Sequence, residues 1–141
     1  MTSPSQPRPS QLLQPQRAPV PARDASTLLL LRDCADGNGF EVLMTRRADQ
    51  GIFANAYVFP GGGQEDEDAA PASHALARVR PSMIAEAGDE RITQALAGIR
   101  ETFEELGILL AYDQAGQPVP PAQVQQLDRK ASLYEQCRAR G

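Results

Sequence analysis

The stretch Arg100-Glu101-Thr102-Phe103-Glu104-Glu105-Leu106-Gly107 constrains this chain more than any other. Wound as a helix, at about 100° per residue, it separates into two faces. Ile92, Leu96, Ile99, Phe103 and Leu106 fall on one side at i, i+3, i+4, i+7 spacing. Glu101, Glu104 and Glu105 fall on the opposite side at i, i+3, i+4. Three carboxylates thus share one small patch in the last turns, where the backbone carbonyls already make the helix end negative. Each like-charged pair costs about 0.2–0.5 kcal/mol on an isolated helix. Arg100, four residues before Glu104, is the local counter-charge. A divalent cation held by oxygen ligands relieves the conflict. The bland alternative is a solvated acidic face.

Upstream, Ser26 to Arg32 (S-T-L-L-L-L-R) is a short apolar run followed by the turn signal Asp36-Gly37-Asn38-Gly39. Phe40 to Arg47 comes next, with Phe40, Val42 and Met44 alternating onto one face. The two runs predict an antiparallel pair joined by a loop. Gly51 to Ala56 is expected to be a loop and Tyr57-Val58-Phe59 a third short strand, broken by Pro60-Gly61-Gly62-Gly63. Three successive glycines reach backbone angles that other residues avoid and let the main chain approach a ligand closely. Arg46 and Arg47 close the second strand; they are either plain solvent residues or contacts for an anionic substrate.

The pattern R-E-x-x-E-E-x-G, preceded by V-F-P-G-G-G, resembles the box of the Nudix hydrolases. Five fixed residues at fixed spacing arise by chance in about one chain of this length in ten thousand. The usual box, G-x5-E-x7-R-E, is interrupted here. Six residues beyond Gly61 stands Glu67, and six beyond Gly62 stands Asp68. Arg100 then lies thirty-three residues after Glu67 instead of eight, so about twenty-five extra residues, with the insertion placed at 68–88, split the box. Pro71 and Pro81 limit it to short helical pieces such as Ser73–Arg80 and Ser82–Ala87. The main helix then starts at Gly88-Asp89, with Asp89 as N-cap, and stops at Gly107.

An interrupted box is similar to the Nudix branch that includes the animal peroxisomal coenzyme A diphosphatases, over about residues 22–112. The resemblance implies an α/β (α+β) Nudix-type sandwich, a mixed sheet with the Nudix helix packed on it. It implies Mg²⁺ or Mn²⁺ as cofactor. Glu104 and Glu105 match the main metal ligands, with a glycine carbonyl, Gly62, assisting. Glu101 matches a ligand or the base that activates water, Arg100 matches the residue that orients a box glutamate, and Glu67 matches the first box glutamate. The implied activity is cleavage of a diphosphate bond in a nucleoside diphosphate derivative. Coenzyme A or an acyl-coenzyme A leads; ADP-ribose, a dinucleotide or a nucleotide sugar is the alternative. A non-catalytic Nudix remnant is a third possibility.

The rest of the sequence bounds those possibilities. A net charge of −4 with no basic block disfavours a nucleic-acid partner. No apolar run approaches the ~20 residues of a membrane span. Cys34 and Cys137 are far apart and form no metal or redox motif, which suits a reducing, cytoplasmic setting. His74 stands in the polar insertion and reads as a surface residue. Residues 1–24 are rich in Pro, Gln and Ser, the composition of a disordered leader.

The domain itself is expected over 25–112, with a linker and one polar helix, Ala122 to Arg140, over 113–141. Ile108 to Tyr112 is a possible strand. A Nudix sheet needs more strands than these, so the sheet is expected to be half built. The apolar side of the helix should pack on it, with nothing evident covering the other side. Val124, Leu127, Ala131 and Leu133-Tyr134 make too thin a stripe to replace a missing layer. Low stability, or a homodimer through an open strand edge, follows as an expectation.

Overall fold

The computed structural model describes residues 21–49, 53–78 and 81–141, and of residues 81–87 only the backbone course. The expected leader thus lies largely outside the described residues, as do part of the Gly51–Ala56 loop and the end of the Ser73–Arg80 piece. Six strands come first: β1 (Ala25–Thr27), β2 (Leu31–Asp33), β3 (Phe40–Val42), β4 (Thr45–Arg46), β5 (Tyr57–Val58) and β6 (Gly61–Gly63). Four helices follow: α1 (Pro71–His74), α2 (Pro81–Leu106), α3 (Pro121–Val124) and α4 (Leu133–Arg140).

The strands form three antiparallel pairs, β1 with β6, β2 with β3, and β4 with β5. The β2–β3 hairpin follows from its turn. Gly37 and Gly39 take positive φ, and the Asn38 amide donates to Asp36 Oδ1 at 2.9 Å. Such side-chain-to-backbone bonds and glycine conformations are what tight turns require. The apolar run beginning at Ser26 is not one strand, however. Its first part pairs with the glycine triplet, Ser26 opposite Gly62, and only its end pairs with Phe40–Val42. The triplet, expected to break a strand, is itself β6. The reason is close packing: a Cβ on Gly61 would stand 2.1 Å from the Ser26 carbonyl oxygen.

Within α2, Gly88 has φ 58 and ψ −154, so two helical pieces meet there at a break. The break falls where glycine was expected to open the main helix. The cap is one residue earlier than predicted, because Asp89 already has helical angles while Gly88 does not. The C-terminus ends as expected: Gly107 takes φ 70 and its amide donates to the Phe103 carbonyl at 2.7 Å. His74 is half-buried, with Nε2 2.9 Å from Thr93 Oγ1, and so ties α1 to α2.

The faces of α2 are used in the opposite sense to the expectation. The side toward β1 and β6 carries Gln94, Gly98, Glu101 and Glu105, at i, i+4, i+7, i+11. Ser26 Oγ donates to the Gln94 carbonyl at 2.6 Å, and a Cβ on Gly98 would lie 3.6 Å from that of Ser26. Small residues let the helix sit close on the glycine strand. The apolar side meets the C-terminal segment instead. Phe103, Val124 and Leu133 form the buried cluster, with Ile99, Leu109, Val119, Leu127 and Cys137 against it. Leu106 leaves this side and lines an open cavity beside Glu105.

Residues 122–140 are therefore not one polar helix. They are two helices joined by a turned segment, and Val124, Leu133 and Tyr134 are buried. Ile108 to Tyr112 makes no strand among the described residues, only a bridge from Tyr112 to Pro118. Phe40, Val42 and Met44 share exposure rather than burial, together with Leu29 and Leu31.

Candidate active site

Arg100 is the centre of the site. It is 2% exposed and faces five acceptors. Nε donates to Asp68 Oδ1 at 2.9 Å and Nη2 to Asp68 Oδ2 at 3.1 Å, a two-pronged pairing. Nη2 also donates to the Gly63 carbonyl at 2.8 Å. Nη1 donates to Glu101 Oε1 and Glu104 Oε2, both at 3.1 Å, and lies 3.8 Å from Glu65 Oε1. The planar guanidinium suits this arrangement, since its donors point in fixed directions.

The acid paired with Arg100 is Asp68, six residues after Gly62, and not Glu67. Glu67 points elsewhere: its Oε1 accepts from Ser132 Oγ at 2.5 Å and lies 3.9 Å from Arg138. The spacing rule alone left the two adjacent acids open. The turn 65–68 separates them, because Asp68 bends back so that its Oδ2 accepts the Glu65 amide at 2.8 Å. Tyr134 was also unforeseen here: its hydroxyl donates to Asp68 Oδ1 at 2.5 Å. No local pattern joins a residue at 134 to one at 68.

Protonation follows from these contacts. Burial pushes the Asp68 carboxyl up. Hydrogen bonds from Arg100, Tyr134 and the Glu65 amide, with the Arg100 charge, outweigh this and hold it below its usual range. Burial likewise raises Glu104. Arg100 opposes that rise, while the charges of Glu101 and Glu65 reinforce it, and the carboxyl stays above its ordinary value. Burial works against the Arg100 charge, but Asp68, Glu104 and Glu101 raise its pKa well beyond any accessible pH.

Gly62 is required by Glu101, since a Cβ at 62 would lie 2.3 Å from the Glu101 Cδ. Glu105 is exposed and lines an open cavity of about 740 Å³ with Gly61, Gly62, Thr45, Arg46 and Arg47. Arg46 Nη2 donates to Asn55 Oδ1 at 2.7 Å, which steadies it at the rim. The structure thus brings Arg100, Glu101 and Glu104 into one ion cluster and places Glu105, Gly62, Arg46 and Arg47 around the adjacent cavity.

The donors available are carboxylate and main-chain oxygens, which fit a hard divalent cation. Among the described residues, no three His, Cys, Asp or Glu side chains are gathered as a metal site. Glu101 and Glu104 face Arg100 instead. The fit is therefore one of donor chemistry and of position, in one turn of one helix.

No family model matches the sequence, and no curated protein matches it. A Nudix hydrolase of known crystal structure, from Alicyclobacillus acidocaldarius, is similar to this chain at 34% identity with a TM-score of 0.68. The match takes in 88% of this chain and 57% of that one, so the chain spans little more than half the length of this neighbour. The fold is of the Nudix type, strand pairs with the acidic helix packed against them. At this level of identity the likeness also supports the Nudix family, as the box residues do.

Proposed function

We propose that this chain is a metal-dependent hydrolase of Nudix type that cleaves the diphosphate bond of a nucleoside diphosphate derivative. The observation that carries the proposal is the Arg100 cluster: the box glutamates Glu101 and Glu104 on the last turns of α2, with Glu101 against Gly62, and Glu105 beside them in a cavity that Arg46 and Arg47 also line. Mg²⁺ or Mn²⁺, held by Glu101, Glu104 and Glu105 with the Gly62 main chain, would neutralise phosphate oxygens and acidify a water. Arg100 orients Glu101 and Glu104 and keeps both from repelling each other. Glu101 or Glu104 accepts the proton of the attacking water. Arg46 and Arg47 offer cations to the remaining phosphate oxygens.

Within this class, coenzyme A or an acyl-coenzyme A is the leading substrate, on the strength of the interrupted box. ADP-ribose, a dinucleotide or a nucleotide sugar is the alternative. No helix among the described residues is long and apolar enough to cross a membrane. The free thiols Cys34 and Cys137 suit a cytoplasmic setting. The exposed Leu29, Leu31 and Phe40 favour self-association over a nucleic-acid partner. A panel of these substrates with Mg²⁺, products resolved by mass, tests the proposal. Coenzyme A should give 3′,5′-ADP and 4′-phosphopantetheine. Faster turnover of ADP-ribose would shift the assignment to the alternative.

A further inference from the structure

We infer that Tyr134 is a positioning residue of this site, whose hydroxyl fixes Asp68 and through it the guanidinium that holds Glu101 and Glu104. The ring is buried in the first turn of α4, and its hydroxyl reaches Asp68 Oδ1 at 2.5 Å. Asp68 then receives four donors: Arg100 Nε and Tyr134 on one oxygen, Arg100 Nη2 and the Glu65 amide on the other. A carboxylate has about four acceptor positions, so all are filled. Four directions fix its rotation as well as its place. Because Arg100 grips it with two prongs, the guanidinium plane is fixed too, and Nη1 is aimed between Glu101 and Glu104.

The neighbouring contacts run the same way. Ser132, the N-cap of α4, donates to Glu67, beside Asp68. Arg129 donates from Nε and Nη2 to the Glu104 carbonyl, the Nε bond being 2.8 Å. Residues 129–134 therefore hold both sides of the cluster, the 65–68 turn and the last turns of α2. Phenylalanine would fill the same space at 134; the hydroxyl is needed only for the carboxylate it meets.

The consequence for metal binding rests on the function proposed above; the consequence for Arg100 does not. Tyr134→Phe removes one oxygen and keeps the ring. The Arg100 Nε–H resonance should exchange with water about 10-fold faster or broaden, Mn²⁺ should bind roughly 10-fold more weakly by electron paramagnetic resonance, and kcat should fall with KM unchanged, the size expected when a residue that orients ligands is lost. Tyr112→Phe, at an exposed tyrosine, should change none of these. An unchanged Arg100 resonance and unchanged Mn²⁺ affinity in folded Tyr134→Phe would overturn the inference while leaving the diphosphatase proposal standing. A wild-type protein that binds no Mn²⁺ would instead overturn that proposal, and the Arg100 resonance would still decide the role of Tyr134. Should Tyr134→Phe fail to fold, 3-fluorotyrosine incorporation, which makes the phenol more acidic, must shift the Arg100 resonance; an unmoved signal overturns the inference.

Discussion

Replacing Asp68 by Ala should damage this protein far more than replacing its neighbour Glu67. Asp68 and Arg100 are 0% and 2% exposed as side chains. Removing one member of a buried pair leaves the other charge uncompensated, at about 3–5 kcal/mol. Arg100 would keep Glu101, Glu104 and the Gly63 carbonyl, which places the loss near the lower end, about 3 kcal/mol. Glu67 and Arg138 are 35% and 38% exposed and 3.9 Å apart, the kind of pair that contributes about 0–1 kcal/mol. At roughly 4 °C per kcal/mol for a domain of this size, Asp68→Ala should melt about 10 °C or more below wild type, and Glu67→Ala within about 4 °C of it. Thermal and urea unfolding at pH 7, followed by circular dichroism, measure both. A Glu67→Ala protein as unstable as Asp68→Ala would refute the assignment of Asp68 as the partner of Arg100.

Gly62→Ala should leave the melting temperature nearly unchanged and abolish hydrolysis, because the added Cβ displaces the flexible Glu101 carboxylate rather than backbone; melting curves and turnover on one preparation check it. Asp68 has a lowered pKa, so its stabilisation is present above the ordinary aspartate value of about 3.9 and is lost as pH falls through the lower folded value. The stability profile of Asp68→Asn should accordingly be flatter below about pH 4. Glu104 has a raised pKa, and its contribution disappears as pH rises through the folded value. Glu104→Gln without metal should then unfold at the same or a higher denaturant concentration than wild type at pH 7. Saturating Mg²⁺ or Mn²⁺ should raise the wild-type melting temperature, by about 2.7 kcal/mol of stabilisation at one hundred times Kd, and no shift at millimolar metal would count against the site.

The box helix was legible because its two periodic patterns coincide: an apolar 3.6-residue repeat and three acids one turn from a terminal glycine. Its ends were legible from Gly88 and Gly107, whose positive φ other residues avoid. Which side of the helix faces the strands was not. Periodicity separates the faces but does not say what each will meet. Here β1 and the glycine strand take the small Gly98 and the acid Glu101, and Phe103 is left to the C-terminal segment. The partner of Arg100 was narrowed to two adjacent acids and no further, since the bend that turns Asp68 inward depends on a hydrogen bond to Glu65 and on Tyr134. The C-terminal segment reads in sequence as a single polar helix with too thin an apolar stripe to cover the core. Three buried side chains, Val124, Leu133 and Tyr134, suffice to cover Phe103 and to reach the site.

In the function proposed above, the box glutamates carry a metal-dependent attack of water on a diphosphate. Hydrolysis of coenzyme A and ADP-ribose in ¹⁸O-labelled water, with and without Mg²⁺, by wild type and Glu105→Gln side by side, tests it most directly. Mg²⁺-dependent cleavage of the diphosphate into two phosphate monoesters is expected, one of them carrying a single labelled oxygen. Turnover by the variant should fall about 100-fold or more, a loss of about 2.7 kcal/mol or more of charge stabilisation. Cleavage that persists without metal, or turnover by folded Glu105→Gln close to that of wild type, would contradict it.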